Sequence, residues 1–517
     1  ASSMKVGTAW VDITPGEPIP IMGQLGPRLG EYTHDPITVN AVVFDDAGVK
    51  AALVSCDLAM LPDHLTRRAQ EGCSRKIGMK AGNVIIACTH THLAPYTVES
   101  AIGKPEAAYI DRLIEAIVES VVRAHDDAEE VDLFAAKGWL DQMDFNRRGR
   151  HADGRVDMYH GSWNSDFAGI EGPRDGEVAV VCAKRGDGSV KVVISSFSTH
   201  PNAVERERYY SADVAGAVRS TLRRNLGDDL GVIYLTGAAG NTAPSILENN
   251  KQNIQPWRGE EGLKRSGLYL GGEILKIVAG ATEPMADAKL RLLKAVVPIP
   301  IRQWPKDLDL SKFPAGAFRD YYEYSKRIWP ELLKNENPRN VHLNVLRLGE
   351  AAICTNPAEL FVEFGLAIKE DSPARVTLIC ELADGTPVPV STVRQMAVDA
   401  DIIPVVLGGH GEPLDVGRTR RLATAAQRAA LTAMYTGCVE PGCDRPVHDC
   451  RAHHTDPWQA GGETNLDHLA LVCDATHERI HRDGWHLQIH DNHRTITWTR
   501  PDGTIAYHGP PPNRRRR

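Results

Sequence analysis

Short apolar runs alternate with amphipathic stretches through the first three quarters of the chain, and several of those runs end on a side chain able to bind a metal. Val84-Ile85-Ile86-Ala87-Cys88 is apolar throughout, which predicts a buried strand. The pattern runs on into Thr89-His90-Thr91-His92, where strand alternation would turn the two histidines to one face. Pro95 then stops the strand and leaves them at a loop mouth. Ala51-Ala52-Leu53-Val54-Ser55-Cys56 predicts a second buried strand leading to Asp57, and Lys191-Val192-Val193-Ile194-Ser195-Ser196-Phe197 a third, leading to Thr199-His200-Pro201. Val232-Ile233-Tyr234-Leu235 leads to a glycine-containing turn, and Ala352-Ile353-Cys354-Thr355 to Asn356-Pro357-Ala358-Glu359. Between them, Ile110, Leu113, Ile114, Ile117, Val121 and Val122 follow the helical period behind Pro105, placed in the first turn, and Ser211 is positioned to cap a helix carrying Val214, Val218 and Leu222. Residues 251–337 are polar, with helical pieces only. The alternation predicts a mixed α/β domain of several layers with mixed sheets.

The pattern changes after Gly385. Ser391 can cap a short helix to Ala400, residues 402–407 read as a strand, Gly408-Gly409-His410-Gly411-Glu412-Pro413 as a hairpin turn, and residues 424–434 as a helix. Composition changes at the same place, since no lysine follows Lys369. Six cysteines are scattered through the apolar runs, whereas Cys438, Cys443, Cys450 and Cys473 crowd together beside several histidines. In a reducing compartment such a cluster favours a metal over disulfides. The expected organisation is a mixed α/β domain over 1–384, a helical and hairpin connector over 385–436, a metal-binding module over 437–505 and a basic tail over 506–517.

Length and charge narrow the classes. A chain of 517 residues can bury a large core, and a net charge of -8 argues against devotion of the whole chain to nucleic acid, though not of one domain. No apolar run reaches the ~18 residues of a membrane span. With no signal-peptide pattern at residues 1–6, the expected location is cytoplasmic. Arg418, Arg420, Arg421 and Arg428 suit phosphate contacts or a solvated helix face.

Two groups of residues carry candidate chemistry. His90, His200 and Glu359 each follow a buried strand, and two histidines with one carboxylate leave an open position for water on a catalytic zinc. Val11-Asp12-Ile13-Thr14-Pro15, Met22-Gly23, Thr89-His90-Thr91-His92, Asn146-Arg147, Thr199-His200-Pro201, Gly237-Ala238-Ala239-Gly240-Asn241 and Asn356-Pro357-Ala358-Glu359 occur in one order. In that order they resemble the N-terminal catalytic domain of the neutral/alkaline, non-lysosomal ceramidase family over about residues 5–384. The resemblance implies Zn2+ on His90, His200 and Glu359, His92 holding the attacking water, and Arg147 lining the site. It also implies a fatty-acyl amide as substrate and a place in sphingolipid metabolism. That family completes its zinc shell with a tyrosine in a glycine-tyrosine-valine turn; here Leu382-Ala383-Asp384-Gly385-Thr386-Pro387 stands instead, and Ala243 or Thr242 replaces a serine proposed as nucleophile.

In the second group, His477 and His481 stand at i, i+4, on one helix face, and both can bind one ion. His453 would close that site from a strand, leaving the adjacent His454 free to act as a base. With Asn465 and the cysteines, these residues resemble the ββα-metal (HNH) endonuclease family, most closely the tails of actinobacterial 13E12-repeat proteins, over about residues 385–505. The resemblance implies a divalent ion (Mg2+, Mn2+, Ni2+ or Zn2+) on His453, His477 and His481, His454 as general base, and Asn465 bracing its loop. It further implies DNA as partner and a structural zinc on Cys438, Cys443 and Cys473, with Cys450 the nearest candidate for a fourth ligand. The abrupt join at Leu382-Ala383-Asp384-Gly385-Thr386 is expected to reflect recombination at a short string shared by both families, or an artefact of sequence assembly. Two function classes follow: a two-site metal-dependent hydrolase, or a degenerate hydrolase scaffold carrying a zinc-stabilised nucleic-acid-binding module.

Overall fold

The structure, a computed structural model, describes residues 4–24, 26–301, 303, 309–312, 315–385, 423, 425–456, 464–490, 493 and 495–513. The chain divides into two compact units between Asp401 and Ile402. The helix expected over 391–400, the strand over 402–407, its hairpin turn, Arg418, Arg420, Arg421 and the basic tail Arg514–Arg517 lie outside the described residues.

Unit 1 is built on an eight-stranded mixed sheet. In chain order its elements begin with β1 (Met4–Asp12), β2 (Thr38–Asp46), β3 (Val49–Cys56), α1 (Asp63–Ile77), β4 (Val84–Cys88), α2 (Ala107–Asp126) and β5 (Glu129–Trp139). Four short strands follow, β6 (Phe145–Asn146), β7 (Arg148–His151), β8 (Val156–Met158) and β9 (Phe167–Ile170). Then come β10 (Glu177–Lys184), β11 (Val190–Phe197), α3 (Asp213–Leu226), β12 (Gly231–Thr236), β13 (Thr242–Ala243) and α4 (Gly259–Gly280). The strand order is β12-β11-β10-β5-β1-β2-β3-β4, parallel at β3–β4 and β11–β12 and antiparallel elsewhere. A second sheet, β14-β15-β16-β17, uses β14 (Leu290–Ile299), β15 (Arg339–Leu348), β16 (Ala351–Thr355) and β17 (Val376–Cys380), with α5 (Ala317–Glu336) before β15 and α6 (Val362–Asp371) before β17.

Side-chain alternation explains the layering. In β2, Val39, Ala41 and Val43 enter the core shared with α1 and α2, whereas Val42 and Phe44 enter the core shared with the second sheet. In β10, Val178, Val180 and Cys182 pack toward α3 and α4, and Ala179, Val181 and Ala183 toward the second sheet. Both faces of the large sheet are therefore covered, which is why its strands read as continuous apolar runs. Three differences from the sequence reading matter. Strand β4 ends at Cys88, so His90 and His92 sit in the following loop and not on the strand. Pro105 precedes the helix, whose first residue is Ala107. Strand β14 was missed, because its pattern is mostly exposed or half-buried and its sequence, Leu-Arg-Leu-Leu-Lys-Ala-Val-Val-Pro-Ile, is broken by Lys294 and Pro298.

Unit 2 contains α7 (Ala425–Met434), a hairpin of β18 (Cys450–His454) and β19 (Leu469–Cys473), α8 (Asp474–Arg482), and a three-stranded sheet of β20 (His486–His490), β21 (Thr495–Thr499) and β22 (Ile505–Gly509). Its own core gathers Leu431, Tyr435, Leu469, Leu471, Leu487, Ile496 and Trp498. Among the described residues, no helix of the chain is long and apolar enough to cross a membrane.

Candidate metal centres

The loop after β4 brings His90 and His92 to His200, which follows β11, and all three side chains are fully buried. Their ring centroids stand 4.6, 4.8 and 5.1 Å apart, each pair edge-on. Convergence comes from loop conformation rather than strand alternation: His90 has φ 69°, a left-handed value that a non-glycine residue holds only when its surroundings enforce it. Its N–H donates to the Leu58 carbonyl at 2.9 Å.

The outer contacts fix the rings. His90 Nδ1 donates to the Ala59 carbonyl at 2.6 Å, His200 Nδ1 to the Ala239 carbonyl at 3.3 Å, and His92 Nδ1 to Glu205 Oε2 at 3.0 Å. Acceptors that cannot donate hold the proton on each Nδ1, so the Nε2 lone pairs are left for the centre. There, His90 Nε2 and His92 Nε2 are 3.3 Å apart, a contact that two lone pairs tolerate only with a proton or cation between them. Glu359, after β16, brings Oε1 to 3.5 Å from His90 Nε2, and this buried oxygen has no hydrogen-bond partner. Ligand atoms of the three histidines lie within 4.8 Å of one another. A cation suits this donor set: three neutral imidazoles with a dry carboxylate oxygen beside them.

Arg147, which follows β6, is buried; its Nη2 donates to the Gly240 carbonyl at 2.7 Å and its Nη1 to the Tyr159 hydroxyl at 2.9 Å. Burial would lower its pKa, yet Tyr159, Glu359 and Glu205 hold it above the ordinary value. Glu381 is fully buried, its Oε2 accepting the N–H groups of Leu360 (2.9 Å) and Ala239 (3.2 Å); burial first, then Glu359, pushes its carboxyl well up. Glu205 also accepts from Gln24 at 2.9 Å and pairs with Arg258. Tyr159, Glu205, Arg258 and Glu381 were missed from the sequence. Val204-Glu205-Arg206-Glu207-Arg208 reads as an ordinary charged run, and no spacing separates the buried Glu205 from its exposed neighbours.

In unit 2, β18, β19 and α8 form a ββα arrangement with Cys450 opposite Cys473 and His454 opposite Leu469. His453 on β18 meets His477 and His481 on α8, with centroids 5.3, 5.2 and 4.4 Å apart. Burial and its two histidine neighbours push the His453 pKa down to about 3, which keeps its ring neutral and ligand-ready. His454 stays out of this group and its Nε2 meets Thr464 Oγ1 at 2.9 Å. Asn465 precedes the short turn leading into β19, and its carbonyl accepts the His468 N–H.

Cys438, Cys443 and Cys473 form a second group beside this hairpin, with Cys443 and Cys473 sulfurs 3.8 Å apart. Thr476 Oγ1 lies 3.2 Å from the sulfurs of both Cys438 and Cys473. The Cys450 thiol meets the carbonyls of Pro446 (3.4 Å) and Arg445 (3.8 Å) and also contacts Cys438, at the edge of the trio. A further cluster went unread in the sequence: His151, His160 and Asp166. Its two rings are stacked 3.6 Å apart at 17°, so their in-plane lone pairs cannot meet on one ion, and Asp166 and Asp157 instead pair with the two nitrogens of His151.

Comparison with known proteins gives matches to parts of the chain. The neutral ceramidase from Pseudomonas aeruginosa is 18% identical with a TM-score of 0.57, over 74% of this chain and 68% of that one. A ceramidase complexed with C2 is 17% identical with a TM-score of 0.59, over 77% and 75%. At these identities the likeness is one of fold. Residues 370–434 match the family described as a domain of unknown function (DUF222). An uncharacterized protein of Mycobacterium bovis is 33% identical over 117 residues, 23% of this chain and 25% of its own length. One of Mycobacterium tuberculosis is 37% identical over 101 residues, 20% and 22% respectively. The chain thus spans about a quarter of the length of the curated relatives it matches.

Proposed function

We propose that unit 1 is a zinc-dependent hydrolase of N-acyl amides and that unit 2 is a metal-dependent endonuclease acting on DNA. For unit 1 the observation that carries the reading is the convergence of His90, His92 and His200 on an otherwise unpartnered Glu359 oxygen, within a ceramidase-like fold. His90, His200 and Glu359 would hold the metal. When bound, zinc would act as a Lewis acid on the amide carbonyl and make water more acidic. His92, fixed by Glu205, presents Nε2 to take a proton from the attacking water, and the buried Arg147, bonded to Tyr159 and the Gly240 carbonyl, brings positive charge to the site. The family tyrosine has no counterpart in the Leu382-Ala383-Asp384-Gly385 stretch, and His92 keeps its Nε2 for the water.

For unit 2 the carrying observation is the ββα arrangement with His453, His477 and His481 together and His454 apart. Those three would hold a divalent ion, whose chemistry is charge stabilisation at a phosphodiester. His454, directed elsewhere, is the base, and Cys438, Cys443 and Cys473 would hold a structural zinc. The resemblance to HNH tails and the DUF222 match at residues 370–434 support this assignment.

Metal content per chain tests both parts. Full-length protein should lose one metal equivalent in His200→Ala and a different one in His477→Ala, while His454→Ala should keep its metal, still bind plasmid DNA and fail to nick it. Loss only in His477→Ala would remove the hydrolase reading of unit 1, and undiminished nicking by His454→Ala that of unit 2.

A further inference from the structure

In unit 2, the backbone and the ring of His454 are held by different parts of the chain. The backbone pairs with Leu469 across the β18–β19 hairpin, and the next N–H, that of Thr455, donates to the His468 carbonyl at 2.9 Å. At the ring, Thr464 Oγ1 lies 2.9 Å from His454 Nε2. Thr464 is fully buried, where a hydroxyl keeps the partner the fold supplies because no water competes for it. A bond at one ring nitrogen fixes the rotation of an imidazole about its Cβ–Cγ axis. A hydroxyl accepts from a protonated Nε2 as readily as it donates to a bare one, so this contact survives the proton that a general base takes up.

Thr464 is in turn gripped from α7. Gln427 is fully buried on that helix, and its Nε2 donates to the Thr464 carbonyl at 2.7 Å. At Leu466 the carbonyl accepts from Nε2 of His493, which lies between β20 and β21, at 3.0 Å. That bond keeps the proton on Nε2 and leaves Nδ1 to accept from the hydroxyl of Tyr435, the residue directly after α7. The segment that orients the His454 ring is therefore tied at both ends to α7, once directly and once through His493. This helix lies inside residues 370–434, the stretch matched by DUF222.

We propose that Thr464 and Gln427 are positioning residues of the nuclease: the Thr464 hydroxyl sets the His454 ring, and Gln427 sets Thr464. Helix α7 is then a working part of the nuclease and not a connector leading to it. This rests on the endonuclease reading of unit 2. Neither residue touches the phosphodiester or the metal-binding group; both act through the base. Their loss should therefore lower the rate of the chemical step and leave DNA affinity where it is.

Nicking of supercoiled plasmid by the full-length chain with Mn2+ is the test. Thr464→Val keeps the side-chain shape without the hydroxyl, and should slow nicking at saturating DNA roughly tenfold or more, with plasmid affinity and metal content unchanged. Thr464→Ser should return the rate to within about threefold of wild type. Gln427→Met, which removes the donor to the Thr464 carbonyl, should slow nicking by about tenfold with affinity again unchanged. A wild-type rate in Thr464→Val, or a Thr464→Ser as slow as Thr464→Val, would overturn the role of the hydroxyl. Loss of plasmid binding together with nicking in Thr464→Val would overturn it too, as the mark of a residue needed only for folding. An unimpaired Gln427→Met beside a slow Thr464→Val would overturn the part given to α7. In each of these outcomes the wild type nicks and the endonuclease reading stands; a wild type that binds metal and plasmid without nicking would remove that reading and the proposal with it.

Discussion

Single side chains set the geometry of the unit 1 centre, and two of them make that dependence measurable. Gly23 has φ 113°, and a Cβ there would come within 2.4 Å of the His92 Cβ, so backbone packs directly on the imidazole stem. Gly23→Ala should push His92 aside while leaving His90, His200 and Glu359, the proposed metal-binding side chains, in place. Misplacement on the order of 1 Å at a reacting group costs roughly 100-fold; amide hydrolysis should fall by that order in kcat with metal content unchanged. Asp213 holds the loop behind His200: its Oδ1 accepts the Ala203 N–H at 3.1 Å and its Oδ2 that of Val204 at 3.2 Å. Burial pushes its carboxyl up to about 6, against three backbone N–H groups that pull it down. The folded pKa lies above the unfolded value of about 3.9, so this group's stability contribution is complete below pH ~4 and is lost as pH rises through 6. A shift of about two units corresponds to roughly 3 kcal/mol. Urea unfolding between pH 4 and 7 should show this slope in the wild type and a flatter one in Asp213→Asn; equal slopes would remove Asp213 as the cause.

At the scale of elements, the strands that end at the centre were legible because each is buried on both faces and reads as an unbroken apolar run. What those runs could not disclose is where each strand stops. His90 and His92 look like strand residues two apart, yet the chain turns at Thr89, and a tertiary contact causes the turn. Asp57, at the end of β3, accepts Thr89 Oγ1 at 3.3 Å and is clamped by Arg219 of α3 through two 3.0 Å bonds, all within the core. Nothing local to residues 84–92 encodes a partner more than a hundred residues away. The histidine pair of α8 was easier to recognise, since His477 and His481 need only the helical period to share a face, and β18 with β19 supplies the short antiparallel partner for it. The same reasoning makes the Asp57–Arg219 pair a structural hinge of the site. Arg219→Met would leave a buried carboxylate unpaired, at a cost of about 3–5 kcal/mol. Chemical denaturation should register that loss, and Asp57→Asn combined with Arg219→Met should recover most of it; a cost below ~1 kcal/mol for Arg219→Met would show that the pair does not hold the turn.

For the whole molecule, each unit carries its own core, and their sizes differ greatly. Among the described residues, three large buried clusters on both faces of an eight-stranded sheet and two small ones sustain unit 1, while one cluster around Leu431, Leu471 and Trp498 sustains unit 2. Small domains bury a lower fraction of their surface and commonly depend on a metal or cross-link for the remainder of their stability. Unit 2 has no disulfide among the described residues; its four cysteines are free thiols, three of them in one group beside the β18–β19 hairpin. Metal binding to the folded state alone adds RT ln(1 + [L]/Kd), about 4 kcal/mol at a thousandfold excess over Kd. Stripping metal should therefore act unevenly along the chain. Calorimetry of the full-length protein should resolve two transitions, and a chelator should lower the one that Cys473→Ser also lowers by many degrees, while the other moves little because the unit 1 centre is a small addition to a large core. His200→Ala should leave the chelator-sensitive transition where it is. If the chelator shifts both transitions equally, or if Cys473→Ser shifts neither, the cysteine group is packing rather than a metal site, and the stability of unit 2 must come from its hydrophobic cluster alone.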